Sequence, residues 1–181
     1  GGDEARAGGV RPAADTRGSL RVNEAAFRRA TAADVPAIVA LLADDVLGAA
    51  RERPGDPAYD AAFAAIEADP NQFLAVVEAD GAVVGCLQLT FLPGLSHRGL
   101  WRGQVESVRV AASHRGGGLG RRMFEWAIER CRERGCGMVQ LTTDKSRADA
   151  RRFYESLGFK ASHEGMKLVL TTGMAAAPPS R

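Results

Sequence analysis

Glu106-Ser107-Val108-Arg109-Val110-Ala111-Ala112-Ser113-His114-Arg115-Gly116-Gly117-Gly118-Leu119-Gly120-Arg121-Arg122 is the stretch whose reading decides the fold. Its first five residues alternate as a strand does, and the chain then breaks into glycine. Beyond the break, Leu119, Met123, Ala127 and Cys131, joined by Phe124 and Ile128, recur at helical spacing. Four glycines and an arginine therefore lie between a strand end and a helix start. Glycine has no Cβ to keep a ligand off the main chain, and the first turn of a helix points unpaired N–H groups outward. Such a junction makes a nest for a phosphate or pyrophosphate. The competing reading is a plain surface loop followed by a helix whose arginines face water.

The residues after the glycines favour the anion. Helix N-termini prefer acids because the macrodipole is positive there. This helix opens with Arg121 and Arg122 and has no acid until Glu125, a placement that a bound polyanion would turn to advantage. The dinucleotide fingerprint fails, since Gly118-Leu119-Gly120 runs on into Arg121-Arg122-Met123. A Gly-Lys-Ser/Thr ending is absent as well. What is left is Arg115-x-x-Gly118-x-Gly120.

Working outward, 181 residues suit one domain with tails, and 45% hydrophobic with 25% charged residues is an ordinary globular balance. A net charge of +2 is too mild to argue for nucleic acid, and no basic row with interleaved aromatics appears. Cys86, Cys131 and Cys136 have no C-x-x-C spacing, which speaks against a disulfide framework and a zinc site and for a reducing compartment. His97, His114 and His163 are scattered, so no metal is expected. No apolar run reaches the roughly eighteen residues a membrane span needs, and no charged-then-apolar leader is seen, so a cytoplasmic protein is expected.

In chain order, residues 1–24 lack periodicity and read as a disordered extension, and residues 172–181 as a disordered tail, leaving 25–171 as the domain. A short strand around Phe27 is followed by Thr31 and Asp34 at capping-box spacing. A helix then carries Val35, Ile38, Leu41 and Leu42, with Pro36 requiring a late or tight start. A charged loop, residues 48–57, precedes a helix bearing Tyr59, Phe63 and Ile66. Asp44 and Asp45 just before this loop and Glu52 within it either attract an amine or form a solvated face. Ala79-Asp80-Gly81 joins two apolar runs as a tight hairpin, and the second run, Val83 to Phe91, is apolar enough to be central in a sheet. After the glycine loop and its helix come a strand at 138–142, a helix with Ala150, Phe153, Tyr154 and Leu157 on one face, and closing strands at 159–160 and 166–170. The order predicts an α/β (mixed α+β) fold, one mixed sheet with helices on both faces.

Two side chains stand out beside the loop. Strand alternation places Glu106 on one face with Gln104, Val108 and Val110. Partial desolvation there raises a carboxyl's pKa and makes it a better base near neutrality; the alternative is a glutamate exposed at the rim. Tyr154 follows Phe153 on an apolar helix face, which core packing alone explains.

Taken together, Arg115-x-x-Gly118-x-Gly120 after Glu106-x-Val108-x-Val110, and Phe153-Tyr154-Glu155-Ser156-Leu157-Gly158-Phe159 further on, resemble the GNAT acetyltransferase superfamily over about residues 27–170. The resemblance implies a twisted sheet with a splayed central strand. It implies that acetyl-CoA is held by Arg115, Gly116, Gly117, Gly118, Leu119, Gly120 and Arg121 through its pyrophosphate and by the main chain of Val108 and Val110 through its pantetheine arm. It also implies Glu106 as the base for an attacking amine and Tyr154 as the acid that protonates the departing thiolate. Leu141-Thr142-Thr143-Asp144, Ser162-His163 and Asp69-Pro70-Asn71 are similar to small-molecule members of the aminoalkylphosphonate and glucosamine-phosphate type, so a small amine is the expected acceptor. A protein amine as acceptor and a non-catalytic acyl-CoA sensor are the rival readings. One position departs from the pattern: Arg147 stands where many members carry asparagine. Members often dimerise through late strands, so a homodimer is a further expectation, with no nucleic-acid or membrane partner.

Overall fold

The computed structural model describes residues 25–170; the extension expected over 1–24 and the tail expected over 172–181 lie outside the described residues. Five strands, β1 (Ala26–Arg29), β2 (Gln72–Ala79), β3 (Ala82–Leu92), β4 (Arg102–Val110) and β5 (Met138–Gln140), pair in that order as one open sheet. The first three pairings are antiparallel and β4 with β5 is parallel, giving the mixed sheet the sequence predicts. β2 and β3 meet in a two-residue turn whose central residues, Asp80 (φ 52°) and Gly81 (φ 74°), both have the positive φ that a tight hairpin of this twist requires.

Helices cover both faces. On one lie α1 (Val35–Ala43) and α3 (Ala58–Ala68), with the short α2 (Val46–Arg51) between them in sequence. Ile38, Val39 and Phe63 are buried there against Leu74, Val76 and Cys86 of the sheet. α1 starts tight, as Pro36 demands: a 3-10 turn at Ala32–Asp34 leads in, and Pro36 falls in the first α turn, where its missing N–H has no intrahelical partner to lose. On the other face α4 (Leu119–Glu133) buries Leu119, Met123, Phe124, Ala127 and Cys131 against Leu87, Leu89 and Val105. It lies close to the sheet because β4 has no side chain at Gly103, where an added methyl would overlap the Cys131 sulfur. α5 (Ala148–Ser156) packs Phe153 and Tyr154 against the same cluster.

Two features of the sheet position the site. β4 and β5 pair at only three positions, Arg102 with Met138, Gly103 with Val139 and Gln104 with Gln140. From Val105 to Val110, β4 runs on past the end of β5, so the two strands part. The second feature is a bulge. Gln88 faces Glu106 and Cys86 faces Arg109, so Leu87 is opposed by both Ser107 and Val108. Ser107 takes φ 54°, a left-handed conformation more often filled by glycine.

The bulge corrects the face expected for Glu106. Directly opposed residues share a face, so Glu106 and Arg109 lie on the side of Gln88 and Cys86, towards α1. Val108 and Val110 pack instead with the α4 cluster on the other side. One extra residue between Glu106 and Val108 undoes the alternation on which the expectation rested. Glu106 is exposed, where the sequence predicts partial burial.

The closing strands at 159–160 and 166–170 do not form, and β5 stops at Gln140 rather than 142. Alternation makes a segment strand-competent, but a strand also needs a ladder partner, and 166–170 has none among the described residues. Met166, Leu168 and Leu170 are 96%, 85% and 87% exposed.

β1 is tied to the start of α1 by charge. Arg28 donates from Nη1 and Nη2 to the two Asp34 oxygens (2.7 and 2.9 Å) and from Nε to Glu78 (3.0 Å). Asp34 also accepts from the Thr31 N–H (2.8 Å) and hydroxyl (3.0 Å). The Arg28 bonds, helped by those from Thr31 and opposed by desolvation, hold the Asp34 carboxyl well below the usual carboxylate range. A carboxylate depressed in the folded state stabilises the fold above its unfolded pKa of about 3.9, and that contribution is lost as pH falls. Asp34→Asn is therefore expected to cost about 2 kcal/mol at neutral pH and to flatten the loss of stability below about pH 4. Urea melts at pH 7 and pH 3 check both; an unchanged midpoint at pH 7 would remove this pair from the anchors of the fold.

Candidate active site

The glycine loop and the parting strands meet at one place. β4 ends at Val110, a 3-10 turn covers Ala112–His114, and residues 115–118 lead into α4 with Gly118 at its N-cap (φ 83°). Arg122 N–H donates to the Gly118 carbonyl (3.2 Å), closing the first α-helical bond. The earlier N–H groups, those of Gly118, Leu119, Gly120 and Arg121, have no intrahelical acceptor. No side chain caps them and no acid lies in the first turn. Nothing approaches within 4 Å of a Cβ placed on Gly116 or Gly118, so the backbone is open to a ligand. These residues fit a diphosphate: outward N–H donors at the positive end of a fifteen-residue helix, with Arg115 and Arg121 exposed beside them.

Each loop residue has a distinct setting. The Leu119 side chain is buried at 1% exposure and pins the helix start to the core, so only its main chain faces outward. Arg115 reaches back, Nε donating to the Val110 carbonyl (3.0 Å) and Nη2 to the Asp44 carboxylate (2.9 Å) and carbonyl (3.2 Å). Arg121 donates to Ser156 Oγ (2.9 Å), joining the N-terminus of α4 to the helix that carries Tyr154. Val110 sits where β4 has left β5. Ala111 N–H donates to Val84 O on β3 (2.8 Å), and successive N–H groups of a strand point to opposite edges, so Val110 N–H points into the gap.

Tyr154 is half-buried, its ring set edge-on to Phe124, Phe153 and Phe159 at centroid distances of 5.4, 5.6 and 6.2 Å. Both readings of this residue draw on that packing: the ring belongs to an aromatic cluster, and the cluster fixes the direction of the phenol. Glu106 is set apart from the other residues singled out in the sequence, on the opposite face of β4 from Val108, Val110 and α4.

The acids expected to attract an amine are already engaged. Asp44 pairs with Arg115, and Asp45 with Arg109 at 3.2 Å. Glu52 accepts from the Tyr59 hydroxyl (2.8 Å) and Arg51 (2.6 Å); desolvation raises its carboxyl, but these two partners outweigh that and hold it below its ordinary value. Arg109 is the residue that sequence reasoning passed over. Only the bulge brings it to the face of Glu106, and a serine at 107 is too faint a signal to announce one. Cys86 and Cys131 are pushed up to about 12 by burial, so both thiols stay protonated and poor nucleophiles.

The family model for the acetyltransferase (GNAT) family matches residues 35–159. The chain is 32% identical over 137 residues to an aminoalkylphosphonate N-acetyltransferase of Salmonella typhimurium, covering 76% of this chain and 86% of that protein. It is 36% identical over 90 residues to a glucosamine 6-phosphate N-acetyltransferase of Trypanosoma brucei brucei, covering 50% of this chain and 59% of that one. A solved structure from Bacillus halodurans C-125, described as a transcriptional regulator, superposes with a TM-score of 0.78 at 49% identity over 81% of this chain and all of its own. With its β4 parted from β5 and an open glycine loop leading into an uncapped helix, the chain belongs to the GNAT family and is an acetyltransferase.

Proposed function

We propose that the chain moves an acetyl group from acetyl-CoA to a primary amine of a small molecule by direct attack in a ternary complex. One observation carries this reading. The edge of β4 from Val105 to Val110, left without β5, leads straight to an uncapped, acid-free helix N-terminus, so one continuous surface offers main-chain donors to an extended carrier and to its diphosphate. Acetyl-CoA supplies, when bound, an acyl group activated as a thioester.

The chain's own residues then divide the work. Main-chain N–H groups between Arg115 and Arg121 hold the pyrophosphate, with the arginine side chains adding charge-assisted bonds. Val108 and Val110 present main-chain groups to the pantetheine arm, and Val110 N–H steadies charge developing on the acyl oxygen. Glu106, itself or through a water, takes the proton of the amine, and the Tyr154 hydroxyl gives one to the leaving sulfur. The protonated state of Cys86 and Cys131 supports direct attack over a cysteine-bound acyl intermediate. Two of the relatives named above act on small amines, which favours a small acceptor over a protein one. The description of the Bacillus halodurans protein as a transcriptional regulator favours the non-catalytic sensor as the second reading. Thioester consumption with a panel of amines separates the two: a sensor binds acetyl-CoA and consumes none.

Tyr154→Phe is expected to lower kcat by about a hundred- to ten-thousandfold while the Kd for acetyl-CoA, read by calorimetry, stays within about twofold. Unchanged turnover would take Tyr154 out of the proton path. Gly118→Ala puts a methyl on the open loop at a left-handed residue; it is expected to weaken acetyl-CoA binding at least about tenfold and to lower stability by about 1 kcal/mol. Full retention of affinity would mean that the diphosphate lies elsewhere.

A further inference from the structure

Two thiols meet where α4 ends. The helix closes with Arg134 at its C-cap, and Gly135 follows in a left-handed conformation (φ 81°). Gly135 N–H donates to the Arg132 carbonyl (2.9 Å) and Cys136 N–H to the Cys131 carbonyl (2.9 Å), the paired bonds of a Schellman motif. That motif brings together the side chains three residues before the C-cap and two residues after it, and here both are cysteines. The bond from Cys136 to Cys131 keeps their Cα atoms within about 6.8 Å, the outer limit of the span a disulfide bridges. Both side chains belong to the α4 cluster, Cys131 fully buried and Cys136 half-buried, and each thiol is within hydrogen-bonding reach of the other. Cys86 is buried in the cluster on the opposite face of the sheet. The spacing hides this pair in the sequence, because a helix cap rather than a short turn folds the two cysteines together. Its position ties it to the sheet: the Cys131 sulfur rests on Gly103, which pairs with Val139, and Cys136 stands two residues before β5 begins at Met138.

We propose that Cys131 and Cys136 are a redox-active dithiol, closed to an intrachain disulfide by exchange with a small-molecule disulfide, and that closure locks the end of α4 to the start of β5. Cys136, the half-buried thiol, loses its proton and attacks the small disulfide; a mixed disulfide forms at Cys136 and one small thiolate leaves. Cys131 then gives up its proton and attacks the Cys136 sulfur, and the second small thiolate departs. Two protein thiols are oxidised, one small disulfide is reduced, and the two protons end on the two released thiols. Burial pushes Cys131 up to about 12 and raises Cys136 as well, so the first attack is slow. The second needs no encounter, because the target sulfur is already the neighbour of Cys131. Such a bridge opens and closes with the redox poise around it, which distinguishes it from the permanent staple of a disulfide framework.

The test incubates the full chain for days with glutathione disulfide and follows it by mass spectrometry, thermal melting and amide hydrogen exchange. The chain is expected to lose two hydrogens with no glutathione retained, and peptide mapping to place the bridge between Cys131 and Cys136. The melting temperature should rise by at least about 3 °C, and amide exchange over residues 137–140 should slow at least about threefold. Dithiothreitol should reverse all three changes. Cys136→Ser keeps the cap and its main-chain bonds; it should melt as the reduced wild type does and show no response to glutathione disulfide. Three thiols still free at the end, glutathione retained on Cys136 beside a free Cys131, or a bridge that includes Cys86 or a second chain each overturn the dithiol. Closure of the mapped bridge without slower exchange over residues 137–140 overturns the lock on β5.

Discussion

β4 is paired along its length with β3 but with β5 only from Arg102 to Gln104, and the rest of the molecule follows from this lopsided bonding. A strand inside a sheet normally has both edges satisfied, and a buried main-chain group left alone is costly. The free edge is tolerable because it opens on a gap that solvent or a ligand can fill. α4 fastens β4 at both ends of this edge: Cys131 sits against the bare main chain at Gly103 and buried Leu119 anchors the first turn of the helix. The helix that holds the strand in place thereby also presents its own N-terminus at the end of the open edge.

The second determinant is the extra residue at Ser107. It divides β4 into two halves with opposite senses of in and out, so the strand serves both faces of the sheet in succession. Val105 lies in the α4 core, Glu106 and Arg109 turn towards α1, and Val108 and Val110 return to the α4 side. In the proposed reaction, a carrier in the gap beside Val110 and the base Glu106 on the α1 side would serve the same strand from different directions. The ion pairs of Asp44 with Arg115 and Asp45 with Arg109 fasten the α1–α2 junction to that strand end, linking the two sides mechanically.

Much of this was legible in the sequence because it depends on neighbours in the chain. The Asp80-Gly81 turn, the central character of β3, the tight start forced by Pro36 and the glycine loop before α4 are local features, set by φ preferences and by unbroken apolar runs. What escaped was non-local. Period-two alternation presumes one residue per step, and nothing in Glu106-Ser107-Val108 marks the place where the partner strand skips a beat. The same blindness explains residues 166–170, whose alternation is good but whose partner is a matter of where β5 happens to stop. The acids of the α1–α2 region looked available for an amine because a sequence does not reveal which arginines will fold back upon them.

The bulge also has a bearing on how such a chain can drift over generations. Removing Ser107 would leave an even ladder in which Arg109 still stands opposite Cys86 and Val110 opposite Gly85, so the strand can lose its extra residue and keep every side chain on its present face.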